Sequence, residues 1–139
     1  MMLQFDGEFL RARGIDPLDV KGYIHNAGQP TTHFKVLDAE RGIIDRARVI
    51  ADEKSPIFHA GEAENYSPML IINADNDSVN RYEQTQLFMS TLKYLGHEDK
   101  ITFKLMHGTH CSYDFENDEN GENVFSKLII DFIESVEKK

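Results

Sequence analysis

Residues 67–86, SPMLIINADNDSVNRYEQTQ, constrain the fold more than any other stretch of this chain. Residues 69–72 are apolar without alternation, the run breaks at the acidic turn Asp75-Asn76-Asp77, and a helical pattern follows at once. A short continuous apolar run predicts a strand covered on both faces, and such strands belong to parallel sheets whose crossover helices supply the cover. The abrupt change to acid then sets polar groups just beyond the carboxyl end of that strand.

The neighbouring segments extend the same alternation. Residues 20–27, VKGYIHNA, mix β-branched and aromatic side chains and end at Gly28, as a short strand does. Residues 28–66 form a polar excursion with short helices expected around 32–38 and 44–52, and the Ser-Pro pairs at 55 and 67 bracket the approach to the apolar strand. Beyond the acidic turn, Asn80 with Glu83 three positions on predicts a capped helix start. Leu87, Phe88, Leu92 and Leu95 recur at helical spacing until Gly96 stops the pattern. The segment Ile101–Met106 alternates as a strand and runs into HGTH, and residues 122–136 carry Val124, Phe125, Leu128, Ile129, Phe132, Ile133 and Val136 on one helical face. Crossovers of this length make successive strands parallel with right-handed connections. The expectation is an α/β fold, a small parallel sheet of about three strands flanked by helices, forming a single domain over residues 1–139.

Charge and hydropathy exclude several classes of function. The net charge of -9, from 15 Lys+Arg against 24 Asp+Glu, repels a phosphate backbone, and no basic stripe interleaved with aromatics offsets it. No nucleic-acid partner is expected. No apolar run approaches the length of a membrane span, and the start, MMLQFDGEFLRARG, lacks a signal-peptide core, so no membrane association and a cytoplasmic location are expected. The single Cys111 excludes an internal disulfide and fits a reducing compartment.

In a parallel sheet, function gathers beyond the carboxyl ends of the strands. Asp77 lies past one such end and His110, 33 positions later, past the next. A carboxylate there can accept a hydrogen bond from one imidazole nitrogen, fixing the tautomer and leaving the other nitrogen as a base. Asp75 is the nearest competitor and reads as a solvated, loop-shaping residue. His107 and His110 form an H-x-x-H pair beside Cys111, but with no second cysteine and a turn in place of the i, i+4 helical arrangement, neither a metal nor a cofactor is expected. Cys111 is adjacent to His110 and adjacent residues seldom face each other, so the thiol reads as a filler near the site. His25 and His33 have no partner that the sequence reveals.

The ordered series of segments resembles the esterase and carboxylesterase branch of the α/β-hydrolase fold. In that family the penultimate strand runs into a pattern like HGDxDxxV, matched here by NADNDSV with Asn73-Ala74 for His-Gly and Ser78 for the common Pro. A Gln- and Leu-rich helix follows, matched by RYEQTQLFMSTLKYLG, then a last strand and a glycine-bearing turn with the triad histidine, matched by HGTHCSYD, then a terminal amphipathic helix. SPIFHAGEAENYSPMLII is similar to the family's approach to the penultimate strand. The resemblance implies Asp77 as the triad acid and His110 as the base. It also implies a Ser in a Gly-x-Ser-x-Gly elbow upstream of both, and none of the serines at 55, 67, 78, 90, 112, 126 and 135 has that context.

Two functions follow as expectations. The first is the C-terminal part of a carboxylesterase-like hydrolase of small esters, supplying acid and base without the nucleophile and therefore inactive alone. The second is a non-catalytic, self-associating α/β module, whose unpaired strand edge would recruit a second copy as a homodimer, or an N-terminal hydrolase half in a split enzyme.

Overall fold

All six residues of the strand Met69–Ala74 are buried, in a computed structural model that describes residues 1–138. This strand, β2, is flanked by β1 (Tyr23–Asn26) and β3 (Ile101–Met106) in the order β1-β2-β3, and both pairings are parallel. Tyr23 sits beside Met69, and Met69 beside Ile101. Side chains of a strand alternate between the faces of its sheet. Met69 and Ile71 therefore pack with Phe5, Tyr66, Phe88, Met89 and Leu92 on one face, while Leu70, Ile72 and Ala74 pack with Tyr113 and Phe132 on the other. A core on each side explains an apolar run with no alternation.

The first cover is the helix Arg81–Tyr94, which contributes Phe88, Met89 and Leu92. Leu87 and Leu95, expected in that stripe, are 53% and 38% exposed, because the buried face is completed by Gln84 and Thr85 instead. Gly96 ends the helix at φ 87°, its N–H donating to the Lys93 carbonyl while the His97 N–H reaches Leu92, a left-handed closure that suits glycine. The second cover is the helix Val124–Glu137, from which Phe132 is buried and Phe125, Leu128 and Val136 are partly so. Ile130 and Ile133 of that helix stand 54% and 44% exposed, so its apolar face is only partly covered.

Before β2, the chain forms short helices at Met2–Phe5, Glu8–Arg11 and Phe34–Arg41, which we number α1 to α3, with α4 (Arg81–Tyr94) and α5 (Val124–Glu137) following. Gln4 of α1 staples the start of the chain to the sheet: its Nε2 donates to the Ser67 carbonyl at 2.9 Å, and its Oε1 accepts from His25 Nε2 at 2.6 Å. Burial, with the nearby N-terminal ammonium, pushes His25 down to about 3 and keeps it neutral.

Two local expectations are corrected. The helix placed around 32–38 begins and ends later, because His33 becomes its cap through a Lys35 N–H to Nδ1 bond of 3.2 Å. The helix placed around 44–52 does not form. Asp45 instead turns the chain by accepting the Ala47 N–H, and Asp52 collects the Thr32 hydroxyl, the Lys54 N–H and the Arg41 guanidinium. Such side-chain bonds offer the backbone an alternative to helix. Among the described residues no helix is long and apolar enough to cross a membrane.

Candidate active site

The β2–β3 register continues past the formal strand ends. Asp75 donates its N–H to the Met106 carbonyl at 2.9 Å and Asn76 donates to Gly108 at 3.0 Å, lacing the acidic turn to the histidine turn. Gly108 adopts φ 122°, and a Cβ there would collide with Ser112 Oγ, which is itself fixed by the Thr109 N–H at 3.0 Å. Glycine is required by both conformation and space.

This lacing brings Asp77 and His110 together. His110 Nδ1 lies 2.8 Å from Asp77 Oδ1; the Asp77 side chain is fully buried, whereas that of His110 is 47% exposed. The Ser78 N–H donates to the same Oδ1 at 2.6 Å and the Asn73 amide donates to Oδ2 at 3.3 Å. A carboxylate only accepts, so Nδ1 carries the proton and Nε2 is the nitrogen left for chemistry. Neither Asn73 nor the helix behind it is an obvious site residue in sequence. Yet Asn73 is fully buried and held by Thr85 Oγ1 at 2.7 Å, so α4 positions the amide that positions Asp77.

The turn that follows His110 is anchored to the end of β1. Cys111 takes a left-handed conformation at φ 56°, and the buried Tyr113 donates its hydroxyl to Asn26 Oδ1 at 2.6 Å, while Asn26 Nδ2 reaches Asp114 at 3.4 Å. The carboxyl ends of all three strands thereby converge, through Asn26, Asp77 and His110. The Cys111 thiol is pushed up by burial and by the Asp114 and Asp77 carboxylates, the reverse of what an activated thiolate needs.

Asp75 and His107 form a second, outer pair. His107 Nδ1 lies 2.8 Å from Asp75 Oδ2, the Gly108 N–H donates to Asp75 Oδ1 at 2.9 Å, and the His107 side chain is 93% exposed. The hydrogen bond and charge of Asp75 push His107 up, and the same contacts hold Asp75 down. Asp75 thus ties the two turns together, and the two histidines of the H-x-x-H pair each answer to a different carboxylate. Among the described residues no group of three or more His, Cys, Asp or Glu could hold a metal ion.

His110 borders a cleft of about 620 Å³, shared with Ser78 and Arg81 beside the acidic turn and with residues 27–29 after β1. Arg81 is a site residue that sequence reasoning missed. It is 6% exposed, and its guanidinium donates to the Ala27 carbonyl at 3.0 Å, which helps hold the end of β1 in its left-handed turn at φ 47°. A signal was present in the sequence: a cation in the first turn of a helix opposes the macrodipole and asks for a reason. Asn80, expected to cap α4, makes no capping bond with its side chain; its amide donates to the Ala47 carbonyl at 2.9 Å.

No protein-family model and no curated protein matches the chain. Among solved structures it is similar to Thermogutta terrifontis esterase 2, phosphoramylated by tabun, with a TM-score of 0.56 and 19% identity over 84% of this chain and 41% of that one. It is also similar to the uncomplexed acylaminoacyl peptidase of Pyrococcus horikoshii, with a TM-score of 0.54 and 22% identity over 82% of this chain and 20% of that one. The chain thus spans less than half the length of either. A small parallel sheet with helices on both faces, superposing on part of two such enzymes, has part of the α/β-hydrolase fold.

Proposed function

We propose that this chain supplies the acid and base of a serine carboxylester hydrolase acting on small esters. The observation that supports it is the Asp77–His110 pair, a fully buried carboxylate 2.8 Å from a half-exposed imidazole at the ends of adjacent parallel strands. In the complete site a serine outside the segments described here attacks the ester carbonyl, and His110 Nε2 takes its proton and later returns it to the leaving alcohol. Asp77 holds the imidazole in position and stabilises its positive charge. With no Gly-x-Ser-x-Gly in these 139 residues, the chain alone is catalytically silent. The single cysteine, a free thiol, fits a place in the reducing cytoplasm.

The test is p-nitrophenyl acetate hydrolysis, by the chain alone and together with whatever polypeptide is encoded immediately upstream of Met1. The expectation is negligible turnover alone and turnover in the combination that Asp77→Ala and His110→Ala abolish. Turnover by the chain alone that His110→Ala removes would show a nucleophile within these residues. A combination active regardless of His110 would sink the assignment.

A second reading, a self-associating module, is favoured by a different observation. The outer edges of β1 and β3 carry no strand partner among the described residues, and Leu105, Ile130 and Ile133 are all more than two-fifths exposed. Open edges and apolar surface invite pairing. Light scattering that finds a monomer at high concentration would remove this reading.

A further inference from the structure

The cleft beside His110 has a charge opposite to that of the chain. With 24 acidic residues against 15 basic ones, the surface is on average anionic, yet among the described residues no Asp or Glu lines this cleft. Lys35, Arg46 and Arg81 line it, and none of them forms a salt bridge within the described residues. Arg46 is held in place over the Phe34 ring at 5.0 Å, and that ring stacks on His33 at 4.4 Å. One wall is therefore an ordered stack with a guanidinium on top. His33 feels the cations as well, being pushed down by burial and then by Arg81 and Lys35.

Arg81 is the buried member of this set of cations. It is 6% exposed and stands at the first position of α4, where the helix dipole disfavours a cation; its guanidinium donates to the Ala27 carbonyl at 3.0 Å, and its Nε has no hydrogen-bond partner among the described residues. The carboxylate whose charge acts on it, Asp77, already accepts from His110, Ser78 and Asn73.

We propose that this cleft binds the free carboxylate of the substrate, so that the esters turned over are half-esters, with one carboxyl group esterified and a second ionised. Lys35 and Arg46, both exposed, draw the anion in, the buried Arg81 adds its charge to the lining, and the ester group lies toward His110. The class of substrate rests on the hydrolase assignment above; the anion site itself does not.

Binding to the chain as it stands, followed by NMR at the backbone amides of residues 28–29 and at Arg81 Nε–H, separates the two. The probes are monomethyl succinate, which keeps one carboxylate, and dimethyl succinate, which keeps none. Saturable shifts are expected with the half-ester and none with the diester. The double variant Lys35→Ala/Arg46→Ala, which alters two exposed side chains and leaves the core intact, should weaken the half-ester by about tenfold, and added salt should act in the same direction. Arg81→Gln should weaken it further where that variant folds. Equal binding of the diester, tighter binding of inorganic phosphate than of the half-ester, or an affinity untouched by the double variant would each overturn the proposal. Failure of the completed enzyme to hydrolyse any ester, half-ester or neutral, would count against the hydrolase assignment alone and would leave these binding results where they are.

Discussion

Thr85→Val tests the support behind the acid. Thr85 is 1% exposed, so valine replaces it without opening the core, and the chemical loss is the hydroxyl, which lies 2.7 Å from Asn73 Oδ1 and 3.0 Å from the Arg81 carbonyl, a carbonyl that helix bonding within α4 continues to satisfy. Asn73 is itself fully buried, and water cannot take the place of the lost donor. Leaving a buried acceptor unsatisfied costs about 1–3 kcal/mol. With a urea m-value of about 1.5 kcal/mol/M, the midpoint should fall by about 0.7–2 M. In an Asn73→Ala background the valine has no acceptor to strand, so its penalty should shrink to within about 0.5 kcal/mol of zero. Because the Asn73 amide also donates to Asp77 Oδ2, the His110 ring signals should shift in Thr85→Val although the two residues are not bonded. A single variant within about 0.5 kcal/mol of the wild type, or an equal penalty in both backgrounds, would refute this chain of support.

Three other perturbations are informative. His25 is held at about 3 against an ordinary 6.5, so below 6.5 the unfolded chain takes up a proton that the folded chain refuses. Stability is therefore full above 6.5 and falls toward pH 3 by up to roughly 1.4 kcal/mol per pH unit, on the order of 5 kcal/mol in all. His25→Gln should remove that part of the acid sensitivity, and parallel urea-stability curves for the two proteins would show the account of His25 to be mistaken. Gly108→Ala forces a side chain into φ 122° and against Ser112, and should cost about 1–3 kcal/mol while separating Asp77 from His110; unchanged His110 signals would contradict the role given to the turn. Cys111, its thiol pushed up by burial and by the Asp114 and Asp77 carboxylates, should react with iodoacetamide more slowly than free cysteine at mildly alkaline pH; faster alkylation would revive it as a nucleophile.

Much of the fold was legible because one segment carried its own boundary. The apolar run 69–72, stopped by an acidic turn, reads as a strand with cover on both faces, and β2 is that strand. Once β2 and β3 were parallel neighbours, their carboxyl ends had to lie side by side, so the closeness of Asp77 and His110 followed from topology without any knowledge of side chains. What stayed hidden depended on partners far away in sequence. The segment 44–52 has helical spacing, yet Asp52 is committed to Thr32, Arg41 and Lys54, and no local rule predicts that set. Leu87 fits the apolar stripe of α4, but the stripe is rotated because Thr85 must reach Asn73. Arg81 is an odd cation for the first turn of a helix, but its partner, the Ala27 carbonyl, lies 54 residues away and is not legible in the sequence.

The tautomer of His110 tests the central claim most directly. If the buried Asp77 carboxylate orients the imidazole, long-range proton–nitrogen NMR should find the neutral ring with its proton on Nδ1 and its lone pair on Nε2. Asp77→Ala should move that proton toward Nε2. A wild-type ring already protonated on Nε2, or one whose spectrum Asp77→Ala leaves unchanged, would contradict the account of Asp77 and His110 as a poised acid–base pair.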